Sequence, residues 1–407
     1  MVPKGWQKYA VGELCTSIVP GRNKPKVFDG DIPWVTTPEI NGRYIPSKLQ
    51  VNYVSTTALS DAGGKIVPKG AVVMAAVGEL GLIAITSEPV VLNQQLHAFV
   101  CSKLVNNEFL AYWLTTQKPY MESIASKTTI PYMNKTNCES IPVLLPPLAE
   151  QFKIAQILST WDKAISVTEK LLANSQRQKK ALMQQLLTGK KRLLDENGTR
   201  FSETWKLYAL SKLFQRVTTK NNGKSNNVVT ISGQHGLIKQ EDFFKKTVAS
   251  DTLDGYFLLK KGQFAYNKSY SNGYPMGAIK RLNRYPEGVV TTLYICFELT
   301  TPKKSCGDYW EHYFESGLLN NSLSQIAHEG GRAHGLLNVK PSDFFSLKVA
   351  VPGFGEQQKI ASVLSSADTE ISTLEKKLAC LRDEKKALMQ QLLTGKRRVK
   401  VDEAVAV

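Results

Sequence analysis

The twelve residues Lys179–Lys190, KKALMQQLLTGK, recur letter for letter as Lys385–Lys396, 206 positions further on. Carried upstream without a gap, the same offset pairs Glu150 with Glu356, Gln151 with Gln357, Lys153 with Lys359, Ile154 with Ile360, Leu158 with Leu364, Asp162 with Asp368 and Ile165 with Ile371. One element is built twice, and the rest of the chain has to be arranged around the pair. In the second copy the apolar positions step by four and three through Ile360, Leu364, Ala367, Ile371, Leu374, Leu378, Leu381, Leu388 and Leu392, a seam of period about 3.5. The first copy keeps the register less purely, with Ile154, Leu158, Trp161, Ile165, Thr168, Leu172, Ser175, Leu182 and Leu186. The spacing predicts two long helices of coiled-coil type. Lys179 and Lys385 share one seam slot, where a lone charge disfavours slipped pairings. Gly189 and Gly395 suit left-handed helix ends, and the basic residues that follow them suit the negative pole of the helix. About 38 residues each make rods of roughly 57 Å.

A chain of 407 residues holds two ordinary domains besides such rods. Its net charge of +17 and pI near 9.4 point to a polyanionic partner, nucleic acid before an acidic membrane. The first residues have no signal-type apolar core, and the longest apolar run, Ala71 to Ile85, is broken by Gly78, Glu79 and Gly81. Six cysteines without metal-ligand spacing suit reduced thiols in a cytoplasm, and no metal site is expected.

The fold class expected is α+β: two α/β domains separated by two long helices in an antiparallel coiled coil, with a pseudo-two-fold internal duplication. The first domain covers residues 1–146, the central spacer helix 147–195, the second domain 196–352, the C-terminal spacer helix 353–399 and a tail 400–407. In the first domain, extended pieces lie around Trp34–Thr36, Lys65–Val67 and Ala71–Met74, and a helical pattern runs from Glu108 to Tyr120. Two of its loops carry cations and hydroxyls suited to phosphates or base edges: Arg22, Lys24 and Lys26 in one, Lys127, Thr128 and Thr129 in the other. The second domain opens with Trp205-Lys206-Leu207-Tyr208, an echo of Trp6-Gln7-Lys8-Tyr9, and then diverges. Its glycine-punctuated stretches bring Ser232, Gln234 and His235, then Lys268, Ser269 and Tyr270, then Arg332 and His334, side-chain types that read base edges where glycine lets a backbone come close. Taken singly, each is more often part of an ordinary solvated loop. Rods kept alike do one job twice, whereas domains made different address two targets.

Signatures of catalysis are missing. Thr188-Gly189-Lys190 lacks the upstream glycine of a phosphate-binding loop, and the one Pro-Pro pair, Pro146-Pro147, is a helix entry where an amino-methyltransferase needs its Pro-Pro-aromatic clamp. The acidic residues Glu375, Asp383 and Glu384 lie along a rod and read as a solvated face.

Domain, rod, domain, rod, with the entry at Pro146 to Leu158, the doubled LMQQLLTGK exit, Gly30-Asp31-Ile32-Pro33-Trp34-Val35 in the first domain, and Tyr266-Asn267-Lys268-Ser269 with Gly288-Val289-Val290 in the second, resembles the specificity (S) subunit of type I restriction-modification enzymes over essentially the full length. The second rod departs from the pattern by opening with Pro352-Gly353-Phe354-Gly355 in place of Pro-Pro-Leu. The resemblance implies a non-catalytic subunit whose two target recognition domains each read half of a bipartite double-stranded DNA sequence. It implies helices that space the domains and dock two methyltransferase subunits, which motor-nuclease subunits then join. S-adenosylmethionine, ATP and Mg would reside on those partners. Antiparallel rods fit this independently, since parallel ones would crowd both domains at one end. Met183, Leu187, Met389 and Leu393, beside the seam, are candidates for the docking surface or for a broader internal core. The rival readings are a self-sufficient DNA methyltransferase or nuclease, which methyl transfer by the isolated chain would reveal, and a basic coiled-coil scaffold without sequence preference, which competition by random duplex would reveal.

Overall fold

The computed structural model describes residues 2–21, 23–48, 50–126, 129–244, 252–327 and 337–401, with the backbone alone at Phe244. It divides into two units, Met1–Thr168 with Lys377–Val407, and Glu169–Lys376. Each contains half of either rod, because both rods are continuous helices, Leu148–Leu186 and Phe354–Leu392, of 39 residues each. The ends obey the 206-residue offset even at the divergent entry of the second rod. There Gln357 Nε2 donates to the Pro352 carbonyl at 3.0 Å and its backbone N–H to Gly353 at 3.0 Å, as Gln151 does to Pro146 and Pro147 at the first entry. Every apolar seam position predicted above is buried or half-buried.

In the first unit, a five-stranded sheet has the order Cys15–Ile18, Leu96–Cys101, Val72–Ala75, Ile83–Thr86, Tyr44–Ile45. A four-stranded sheet, ordered Tyr53–Val54, Ile32–Val35, Val90–Leu92, Ile66–Val67, lies beyond a shared apolar layer that includes Val35, Val73, Ala75, Val90 and Ala98. The predicted helix from Glu108 to Tyr120 is two helices, Asn107–Thr116 and Lys118–Ile124. Pro119 has no N–H to continue the first but is tolerated in the opening turn of the second. The helix Asn107–Thr116 buries Phe109, Leu110, Tyr112 and Leu114 in a core shared with Ile154 and Leu158 of the first rod and Leu392 and Leu393 of the second.

In the second unit, a four-stranded sheet is ordered Phe214–Arg216, Ile295–Leu299, Phe264–Asn267, Ala278–Arg281. Its helix-facing side is aromatic: Phe264 stacks on Phe297 at 5.4 Å, and Phe214 meets Trp310 edge-on at 5.1 Å. The helix Gly307–Glu315 closes this core with Trp310 and Phe314, and Leu186, Leu187 and Leu364 of the rods complete it.

Each domain is tied off at a neck where its first and last strands pair antiparallel, Gln7–Ala10 with Pro142–Leu145 and Lys206–Ala209 with Lys348–Val351. The echo between Trp6-Gln7-Lys8-Tyr9 and Trp205-Lys206-Leu207-Tyr208 marks these strands. The neck tryptophans lie against the glycines that end the rods, Trp6 beside Gly395 and Trp205 beside Gly189. Both glycines have φ near +70° (+69° and +70°), which turns the chain so that Arg397 N–H reaches back to the Gln391 carbonyl and Lys191 N–H to Gln185. Three residues past each glycine stand arginines that answer each other by the offset. Arg192 binds the Glu356 carboxylate and donates to the Glu203 carbonyl at 2.9 Å, while Arg398 binds Glu150 and donates to the Lys4 carbonyl at 2.7 Å.

Within each unit the two rods run antiparallel, and their polar contacts are reciprocal. In the first unit Lys385 pairs with Asp162, and in the second Lys179 pairs with Asp368. The seam lysines therefore do not stand unpaired: each meets the aspartate that the offset places in the other copy. No helix among the described residues is long and apolar enough to cross a membrane.

Candidate nucleic-acid interface

In the first unit the connection between Cys15–Ile18 and Ile32–Val35 holds Lys24 and Lys26, both exposed, around a buried Pro25. The loop is held close to its neighbour: a Cβ at Gly21 would come within 2.5 Å of the Gly63 carbonyl oxygen, so glycine is required there. Lys24 Nζ lies 5.5 Å from the Phe28 ring, and Phe28 leans on Trp34 at 6.0 Å, so an aromatic platform holds this cation at the surface. Thr129 is exposed in a different connection, next to the exposed Ile130 and near the exposed Tyr132. Arg22, Lys127 and Thr128 lie outside the described residues.

In the second unit Gln234 and His235 form the exposed tip of the hairpin between Val229–Ser232 and Gly236–Lys239. Ser232 is buried, and its Oγ accepts the His235 N–H at 3.2 Å. It shapes the turn and offers nothing to a ligand, which corrects its place among the contact candidates. The tip is anchored by Lys280, whose Nζ donates to the Gly233 carbonyl at 2.7 Å and to Tyr274 Oη at 2.9 Å and is ion-paired with Glu315. Tyr274 donates to the same Gly233 carbonyl at 2.8 Å, and burial together with Glu315 raises its phenol above the ordinary range. Gln234 and His235 thereby line a cleft of about 310 Å³ with Lys280, Arg281 and Arg284. Lys268, half-buried, donates to the Val339 carbonyl at 3.4 Å and accepts from the Leu337 N–H at 2.8 Å, so it joins two segments; Ser269 is half-buried and Tyr270 is 65% exposed. Arg332 and His334 lie outside the described residues.

At the junction of domain and rods the two units differ in chemistry. Tyr112 donates to Asp162, and its ring lies 3.4 Å from the Arg43 guanidinium carbon; burial first and the Asp162 contact second push its phenol well above the usual range. In the second unit His312 stands beside Asp368 instead, with Nε2 3.0 Å from Ser365 Oγ and Nδ1 3.8 Å from the carboxylate. Burial lowers its pKa, partly offset by that aspartate.

Comparison with known proteins agrees with this architecture. Residues 3–174 match the family model described as a type I restriction modification DNA specificity domain. The chain is 26% identical over 325 residues to the type I restriction enzyme MjaVIII specificity subunit of Methanocaldococcus jannaschii, covering 74% of this chain and 72% of that one. It is 26% identical over 175 residues to the MjaIX specificity subunit of the same organism, a match that spans only 40% of that relative's length. Among solved structures, the type I restriction-modification S subunit from M. genitalium aligns with a TM-score of 0.57 at 14% identity over 96% of both chains. The chain is similar to type I specificity subunits, with the family's domain matched over residues 3–174.

Three of the four docking candidates need correcting. Met183, Leu187 and Leu393 are buried and Met389 is half-buried, all packed in the domain–rod cores, because the helices Asn107–Thr116 and Gly307–Glu315 widen what the rods must cover. The three buried ones have no free surface to offer a partner, whereas Met389 keeps part of its own. The exposed apolar residues of the first rod are Leu148, Phe152, Val167 and Leu171. Sequence reasoning also missed Lys280, Tyr274, Arg43 and His312, which converge only through strand pairing and helix packing. One signal was available: Asp162 and Asp368 obey the offset, as the two lysines do, and an antiparallel seam pairs each with the other copy's lysine.

Proposed function

We propose that this subunit binds double-stranded DNA sequence-specifically, each domain reading one half of a bipartite target, while the rods hold the domains and dock two methyltransferase subunits that motor-nuclease subunits can join. The observation that carries it is the reciprocal scaffold, with Asp162–Lys385 and Asp368–Lys179 repeated around two domains of unlike sequence. A scaffold that repeats while its cargo differs suits one task performed on two targets. The chain's +17 charge supplies the sequence-independent attraction to phosphates. Lys24, Lys26 and Thr129 are the proposed contacts on one half-site, and Gln234, His235 and Tyr270 those on the other. Catalysis belongs to the partners in this reading, with S-adenosylmethionine, ATP and Mg bound there. Docking falls to the exposed Val167 and Leu171 and to Leu148 and Phe152, so charged substitutions at these positions should weaken co-purification of the methyltransferase while leaving thermal unfolding unchanged.

The test is selection of the reconstituted complex on a pool of random duplexes. The expected result is enrichment of two short half-sites with a fixed gap, and Gln234→Ala should relax one of them by about 1 to 3 kcal/mol and leave the other intact. Enrichment of a single contiguous site, or of none, overturns the proposal.

A further inference from the structure

Cys15 and Cys101 face each other across the antiparallel strands Cys15–Ile18 and Leu96–Cys101, their Sγ atoms 3.8 Å apart. Ser102 N–H donates to the Leu14 carbonyl at 3.0 Å, which makes the cysteines a non-hydrogen-bonded pair, the kind in which facing α-carbons approach to about 4.5 Å and side chains are nearest. A disulfide needs an α-carbon separation of about 4.4 to 6.8 Å. The backbone therefore stands ready for the bond, and rotation of the side chains closes it.

The two thiols are not equivalent. Cys101 is half-buried and keeps some surface, whereas Cys15 is buried. Cys15 donates its S–H to Cys101, which holds the Cys101 thiol below its usual range against the effect of burial, while the same contact and burial push Cys15 up. The less buried partner is thus the nucleophile and the buried partner the resolving thiol. The strand that carries Cys15 is the outermost of its sheet, paired among the described strands with Leu96–Cys101 alone, and it leads into the loop of Lys24 and Lys26.

We propose that Cys15 and Cys101 form a thiol–disulfide exchange site that reacts with small disulfides of the glutathione class and closes a bond across the two strands. The Cys101 thiolate attacks one sulfur of oxidised glutathione, forming a mixed disulfide and releasing one glutathione thiolate. Cys15 then loses its proton to solvent and attacks Cys101 Sγ, which expels the second glutathione thiolate. Two protein thiols are oxidised and one glutathione disulfide is reduced to two thiols. The bond pins the edge strand and with it the base of the lysine loop.

The experiment incubates the full chain in glutathione buffers of rising oxidised fraction, followed by acid quenching, alkylation in denaturant and peptide mapping. The expected outcome is the loss of two of the six alkylatable thiols, a cross-linked peptide joining Cys15 to Cys101, and slower amide exchange along Cys15–Ile18, all reversed by dithiothreitol. Cys15→Ser should accumulate glutathione on Cys101 without an internal bond, Cys101→Ser should show neither, and Cys380→Ser should behave as the parent. Wild-type chain that carries glutathione on Cys101 with no cross-linked peptide, or that forms the bond only in denaturant, overturns the proposal. The wild-type map stands by itself should a serine variant fail to fold.

Discussion

His97 is the second residue of the strand Leu96–Cys101, with 3% of its surface exposed, its ring 4.8 Å from Phe99 and its Nε2 without a hydrogen-bond partner among the described residues. Burial pushes its pKa from 6.5 down to about 4, opposed by Glu139. A histidine with a depressed folded pKa binds its proton more readily in the unfolded chain. Its neutral form thus sustains stability above pH 6.5, and that stability drains away as pH falls from about 6.5 to 4. A shift of this size is worth about 2 to 4 kcal/mol. His97→Leu should flatten this acid limb, leaving stability at pH 4.5 close to that at pH 7 where the parent loses a large part, as urea titrations at the two pH values would read. Nothing in the sequence set His97 apart, because a strand of six residues does not announce which of its faces is covered.

The rods were legible for the opposite reason: 39 residues of one periodicity leave little room for another reading. The short strands were not. Tyr44–Ile45 has two residues, and its partner Ile83–Thr86 is fixed by packing far along the chain. Element pairing also explains why Lys280 and Gly233 escaped notice as a site, since their contact exists only once the hairpin Val229–Lys239 lies beside Ala278–Arg281. At this scale the seam pairs are testable. Asp162→Lys sets a cation against Lys385 and should cost about 1 to 2 kcal/mol, a modest figure because the aspartate is partly solvated. Adding Lys385→Asp should recover most of the loss but not all, since the Tyr112 hydroxyl has lost its acceptor. A double variant no more stable than Asp162→Lys alone would mean that the pair does not hold the register.

For the whole molecule, the internal repeat made the order of domains and rods readable, and divergence between the copies made the recognition surfaces unreadable: Arg43 and His312 answer to no motif, and their roles come from what folds around them. If the rods set the distance between half-sites, heptads inserted after both Leu172 and Leu374 lengthen the pair by about 10.5 Å, some three base pairs, with the seam in phase. The preferred gap should grow by that amount, measured as methylation by the reconstituted complex of duplexes whose gap varies by single base pairs. A heptad in the first rod alone would carry Lys179 away from Asp368 and should cost stability without a clean new preference.

The two arginine necks are alike in chemistry and unlike in connection. Arg192 reaches a carbonyl 11 residues onward, along a chain that turns directly from rod to domain, whereas Arg398 reaches Lys4 across 394 residues of sequence. One is a hem and the other a clasp. The hem can part only if its own stretch of chain unravels, but the clasp can come undone while strands and rods on either side stay folded, which places it at the low end of the molecule's opening energies. Trp6 follows suit, its Nε1 having no partner among the described residues while Trp205 donates to Glu356 at 3.0 Å. Amide exchange should therefore be faster at Trp6–Ala10 than at Trp205–Ala209, and Arg398→Ala should widen the difference where Arg192→Ala narrows it.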